Sequence, residues 1–150
     1  MVPTNLDSSA DSRFPADHGF WRANGIDLAL SDIDRLQRSL VHAAGLYRAG
    51  DEGSEAGAFY KHCAEGIQLF LTHLATTETA LGLDFAKCYW EKSSLFNLRE
   101  ELLQVVRTIA TSQENRDYES VADKVEFELL HNLHAWSQGL RAIEKTSEWY

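Results

Sequence analysis

Apolar residues recur every three to four positions in four long segments of this 150-residue chain, and this periodicity constrains the fold more than any other feature. Such spacing gives each segment one apolar stripe when it is helical, and a helix of this kind must bury its stripe against other elements. No segment alternates with the period of two that is typical of half-buried strands, so strands should contribute essentially nothing. We predict an all-α fold, an up-down antiparallel bundle of about four amphipathic helices with an irregular N-terminal arm.

Capping residues and glycines mark the ends of the predicted helices: helix A from after Ser31 to Gly50, helix B over 54–81, helix C from 84 to about 112, and helix D from about Asp117 to Lys145. The apolar stripe of helix C changes phase along its length. We therefore expect a break near Ser93 and Ser94, either of which could cap the second part. Phe70, Leu102 and Leu129 lie on three of the stripes and should belong to the central core.

Residues 1–25 contain both prolines and no periodicity, so we predict an irregular arm there and a helical bundle domain over 26–150. Phe14, Phe20 and Trp21 are large aromatic residues in this otherwise polar segment. Free tails seldom carry such side chains, so part of the arm is expected to dock on the bundle.

Charge and cysteine content exclude several classes of function. The formal net charge is −9 and no basic patch is visible, so nucleic acid and anionic membranes are not expected partners. Cys63 and Cys88 lack the CxxC spacing of zinc or redox sites and are expected to act as small core residues. There is no signal peptide pattern and no apolar run of transmembrane length, so we expect a cytoplasmic protein.

Glu128, His131 and His134 carry the only spacing that resembles a metal site, Glu-x-x-His followed by His-x-x-His. A di-iron bundle requires a second Glu-x-x-His and two more inward glutamates, and the chain has no second copy. On a helical wheel the two histidines lie about 120° and 180° from the core stripe of helix D, so they should face outward. We expect no metal and no cofactor. His73, at the edge of the stripe of helix B, is expected to be a buried, hydrogen-bonded histidine.

Helix D also carries apolar residues on the face that should be solvated. Phe127 and Leu130 lie about 160° and 140° from its core stripe, on opposite sides, with His134 between them. A helix that is apolar on two faces is usually covered on both. The candidate interface is therefore Phe127, Leu130, His131 and His134, covered by a second copy of the chain, by another protein helix, or by the N-terminal arm.

No catalytic motif accompanies these features, since the chain lacks GxSxG, a phosphate-binding glycine loop and HExxH. The leading hypothesis is a non-enzymatic cytoplasmic protein, adaptor-like or chaperone-like, that acts through protein–protein interaction or dimerisation. The alternative is a helical-bundle enzyme that binds a metal or a small ligand through His73, Glu128, His131 and His134.

Overall fold

Helices make up most of the chain that the computed structural model describes, which is residues 18–50 and 54–145. In chain order the elements are α1 (His18–Arg48), α2 (Ser54–Leu81), a 3-10 turn (Phe85–Lys87), β1 (Tyr89–Trp90), β2 (Ser93–Ser94), α3 (Leu95–Glu114), α4 (Tyr118–Lys124), a π-helical turn (Val125–Leu129) and α5 (Leu130–Lys145). α4, the π turn and α5 follow one another without a break and together form the fourth long helix, after α1, α2 and α3. The predicted all-α bundle is confirmed.

The first helix begins earlier than the sequence suggested. α1 starts at His18, so the prediction that helix A begins after Ser31 is wrong, and residues 18–25 of the predicted irregular arm are helical. The reason is that the apolar stripe extends upstream, since Ile26 and Ala29 are buried in line with Ile33. Ser31 is not a cap, and its hydroxyl accepts a hydrogen bond from Arg35 at 2.9 Å. The remainder of the predicted arm, with Phe14, lies outside the described residues.

The break predicted near Ser93 and Ser94 is present, but the residues before it are not helical as helix C required. Asp84 caps only a single 3-10 turn, through a bond from the Ala86 N–H to its carboxylate. β1 and β2 then form an antiparallel hairpin with Trp90 opposite Ser93. The Ser94 side chain accepts the Asn97 N–H at 3.0 Å and so begins α3.

The core lies where the helical stripes meet. Phe70, Leu102 and Leu129 are fully buried, which confirms the prediction for all three. Trp136 is also fully buried, and its ring packs edge-to-face against Phe70 at 5.9 Å and against Phe85 at 5.7 Å between centroids. One aromatic cluster thus joins α2, the turn that follows it and α5.

Contacts between side chains show that α1 runs antiparallel to both of its main neighbours. Early in α1, Asp32 bonds to His73 late in α2, whereas His42 packs on Phe59 near the start of α2. Arg48, at the end of α1, pairs with residues at the start of the fourth helix. Two seams therefore flank α1, one with α2 and one with α4 and α5.

Candidate interaction surface and neighbouring groove

The helix that carries the predicted interface is interrupted by a π-helical turn. The Leu130 N–H bonds to the Val125 carbonyl, five residues back, instead of four as in an α-helix. One extra residue in the turn rotates everything after it relative to a continuous α-helix. Val125 and Leu129 are both fully buried at the two ends of the turn, so the insertion keeps the apolar stripe on the core. The predicted continuous helix D is corrected at this point.

Phe127 lies in the middle of the π turn and points away from the core. Its side chain is 65% exposed, among the highest values for a large apolar residue in the described part of the chain. Glu126 and Glu128 on either side are exposed as well. Packing among residues 18–50 and 54–145 does not explain an exposed phenylalanine between two carboxylates.

Leu130 differs from its expected place on the solvated face. It is half-buried and packs against the hydrophobic core. The wheel angle assumed a continuous α-helix, and the π turn immediately before Leu130 changes that angle. Leu130 therefore connects the core to the surface around Phe127.

Val41 on α1 is a further exposed apolar residue, and no sequence pattern singled it out. Arg48 contacts Asp123 and Glu126, which fixes the register between α1 and the fourth helix. Val41 lies seven residues before Arg48, two turns earlier on the same side of α1. Because the two helices are antiparallel, that register brings Val41 to the level of Leu130. Val41 is 59% exposed. We call Val41, Phe127 and Leu130 the apolar patch.

Charges around the apolar patch are partly balanced within the chain. Arg48 donates to Glu126 at 2.7 Å and to Asp123 at 2.9 Å. These hydrogen bonds, first to Asp123 and then to Glu126, raise the pKa of the Arg48 guanidinium. The acids on this border are thereby less repulsive to an approaching surface than the net charge of the chain implies.

His131 and His134 are exposed, as predicted. They also line a groove that the sequence did not predict. The groove has a volume of about 340 Å³ and lies between the β hairpin, α3 and α5, where Trp90, Glu101 and Gln138 also line it. Two hydrogen bonds organise its walls, one from Trp90 Nε1 to Gln138 and one from the buried Asn132 amide to Glu101. The hairpin brings Trp90 to these histidines, and its position depends on tertiary packing.

Close packing against Gly139 holds the hairpin on α5. A Cβ atom at this position would lie 2.9 Å from Leu95 Cδ2 and 3.6 Å from Trp90 Cβ. Only glycine leaves room for both side chains without displacement.

His73 is buried, as predicted, and its Nδ1 lies 2.5 Å from the carboxylate of Asp32. It is not among the residues that line the groove of His131 and His134, and Glu128 is exposed and is not among them either. The four residues of the alternative hypothesis are thus not gathered into one pocket. Within residues 18–50 and 54–145, no group of three or more His, Cys, Asp or Glu side chains is placed to hold a metal ion.

The two cysteines are unpaired, and both thiols resist ionisation. Burial raises the pKa of Cys63 to about 11. Burial also raises the pKa of Cys88, with smaller contributions from Asp84 and Glu78. Because the thiolate is the reactive form, neither side chain is activated as a nucleophile at neutral pH. Across the described helices, none is both long and apolar enough to cross a membrane.

These features define a helical-bundle domain with an exposed apolar patch on the seam between its first and last helices. The chain belongs to the family described as a domain of unknown function, DUF8042, whose model matches residues 27–139. The match covers the apolar patch, the hairpin groove and the buried Asp32–His73 pair. Searches of curated proteins and of solved structures found no match.

Proposed function

We propose that this protein is a non-enzymatic, cytoplasmic interaction module that binds another protein chain through the apolar patch. The observation that carries the proposal is Phe127, which is 65% exposed at the centre of a helix whose other large apolar residues are buried or half-buried. Aromatic residues of this kind commonly anchor protein interfaces.

Two features of the surroundings support the same function. The pairing of Arg48 with Glu126 sets Val41 of α1 at the level of Leu130, so exposed or half-buried apolar side chains lie on both helices of the seam. Arg48 neutralises part of the acidic border. The raised pKa values of the thiols and the separation of His73 from His131 and His134 give a catalytic role no comparable support.

Site-specific photocrosslinking tests this function. A photoreactive phenylalanine analogue would replace Phe127 in cells that produce the protein, with the same analogue at Tyr89 as the matched control. Tyr89 is 67% exposed but lies on the hairpin, away from the apolar patch. We expect discrete protein adducts from position 127 that position 89 does not give. Identical adducts from both positions, or none from position 127, would contradict the proposal.

A further inference from the structure

The groove between the β hairpin, α3 and α5 has the size and the charge of a site for a small cation. Its volume of about 340 Å³ falls within the range of small-molecule sites, about 300 to 1,000 Å³. The lining residues with a fixed charge are Glu91, Glu101 and Lys92. Two carboxylates and one ammonium leave a net negative charge, with histidines counted as neutral. The chain as a whole is also strongly acidic, which attracts cations to it.

Glu101 is held in place by a buried side chain. Its Oε1 accepts a hydrogen bond from Asn132 Nδ2 at 3.0 Å, and the same nitrogen donates to the Leu98 carbonyl at 3.0 Å. Asn132 is only 1% exposed, so packing fixes the amide that orients this carboxylate. The Oδ1 atom of Asn132 has no hydrogen-bond partner among residues 18–50 and 54–145. A carboxylate beside an unmet acceptor favours a ligand that brings hydrogen-bond donors.

Trp90 forms the hairpin side of the groove and can offer a ligand only the surface of its ring. Its one polar atom, Nε1, already donates to Gln138 at 3.2 Å. The close approach of its Cβ to Gly139 holds the side chain against α5. An indole ring attracts cations to its face. A guanidinium group is planar, so it can stack on the ring and bond to a carboxylate through parallel N–H groups.

Glu91 has a backbone conformation that the turn alone does not favour. Glu91 and Lys92 form the two-residue turn of the hairpin, since Trp90 pairs with Ser93. The φ angle of Glu91 is 57°, in the left-handed region that glycine and asparagine usually occupy in such turns. A glutamate here is unfavourable for the turn but adds a second carboxylate to the groove.

We infer that the hairpin groove binds a guanidinium group, which stacks on Trp90 and bonds to Glu101, with Glu91 adding negative charge at the turn. A guanidinium group reaches the groove either on a free small molecule or on an arginine of another chain. The groove shares no lining residue with the apolar patch, so this inference does not rest on the proposed function and either can fail alone.

NMR titration of the ¹⁵N-labelled full chain tests the site. The reporter is the Trp90 indole N–H signal, which is identified by its loss in Trp90→Phe. We expect n-butylguanidinium to shift this signal saturably and n-butylammonium to bind more weakly, because an ammonium lacks the planar fork. Butyrate should leave the signal unchanged. The absence of a saturable shift with n-butylguanidinium, or an equal affinity for butyrate or n-butylammonium, would overturn the inference.

Substitutions of charged residues test how the groove recognises its ligand. Glu101→Gln keeps an oxygen that can accept the Asn132 N–H but loses the charge, so it should weaken n-butylguanidinium binding about fivefold or more. Glu100→Gln is the matched control, because Glu100 is exposed on the same helix and does not line the groove. Lys92→Gln should strengthen binding about twofold by removing a like charge, a gain that a damaged fold would not give. Equal effects of the two glutamate changes, or weaker binding by Lys92→Gln, would contradict the assignment.

A comparison of two ligands with the same cationic group identifies its source. The capped peptide acetyl-Gly-Arg-Gly-amide presents a guanidinium group on a protein backbone, and n-butylguanidinium presents it alone. Tighter binding of the peptide would assign the group to an arginine of another chain. Equal or weaker binding of the peptide would assign it to a free small molecule. A peptide with lysine in place of arginine is the control, and it should bind more weakly than the arginine peptide in either case.

Discussion

Asp32 is a carboxylate that the fold removes almost entirely from water, with only 3% of its surface exposed. Its two oxygens have different partners, Arg35 at 2.5 Å on the same helix and His73 at 2.5 Å across the seam with α2. A buried carboxylate is stable only when it is paired in this way. The pair therefore fixes the register of α1 on α2, on the side of α1 opposite the seam with the fourth helix.

Substitution of Asp32 should show how much its buried bonds to Arg35 and His73 stabilise the fold. Asp32→Asn removes the charge and weakens both bonds, so it should lower the free energy of unfolding by about 1 to 3 kcal/mol, measured by urea denaturation. Asp34→Asn is the matched control, because Asp34 is exposed and pairs with Arg38 on the surface of the same helix. Its cost should stay below about 1 kcal/mol. Equal effects of the two changes would mean that the buried pair contributes no more than a surface ion pair.

Sequence patterns predicted His73 as a buried, hydrogen-bonded residue but could not name Asp32 as its partner. The two residues are 41 positions apart, and only the packing of α1 on α2 brings them together. The same limit applies to Val41, whose exposure depends on where the fourth helix lies. Leu130 was misplaced for a different reason, because a π turn changes the angular position of every later residue and leaves no clear trace in an apolar repeat.

At the scale of elements, glycines predict where α1 and α2 end, whereas the start of α1 and the connection between α2 and α3 were not predictable. Gly50 and Gly82 have positive φ angles of 86° and 66° where α1 and α2 were expected to stop. The segment after Gly82 contains a cap at Asp84 and aromatic residues at helical spacing, which are local signals for a helix. It forms a 3-10 turn and a hairpin instead, because Trp90 packs on Gly139 and bonds to Gln138 of α5.

The cap of α3 provides an element-scale prediction. Ser94→Ala removes the acceptor for the Asn97 N–H and should cost about 1 kcal/mol in unfolding free energy. Ser93→Ala is the matched control, since the structure assigns the cap to Ser94 while the sequence allowed either serine. Thermal unfolding should show a lower Tm for the first variant than for the second. A larger loss from Ser93→Ala would mean that α3 begins in a different place.

At the scale of the whole molecule, the residues that stabilise the bundle are different from those proposed to bind a partner. The core around Trp136 and the buried pair at Asp32 lie away from the apolar patch, so changes to Phe127 should alter association without unfolding the chain. Both sides of the seam contribute to the patch, Val41 from α1 and the other two residues from the fourth helix. An interface that depends on two helices requires the bundle to be folded before it can bind.

Hydroxyl-radical footprinting of the unmodified full chain tests directly whether Phe127 is covered in solution. Phe127 and Tyr89 have nearly equal exposure within one chain, 65% and 67%, so oxidation of each, normalised to the unfolded chain, can be compared. When the chain is footprinted in a lysate of the cells that produce it, we expect Phe127 to be oxidised less than Tyr89, because a bound partner would cover it. Phe127 oxidation that matches that of Tyr89 in the lysate would mean that its face is solvated, and would contradict the proposed interaction role.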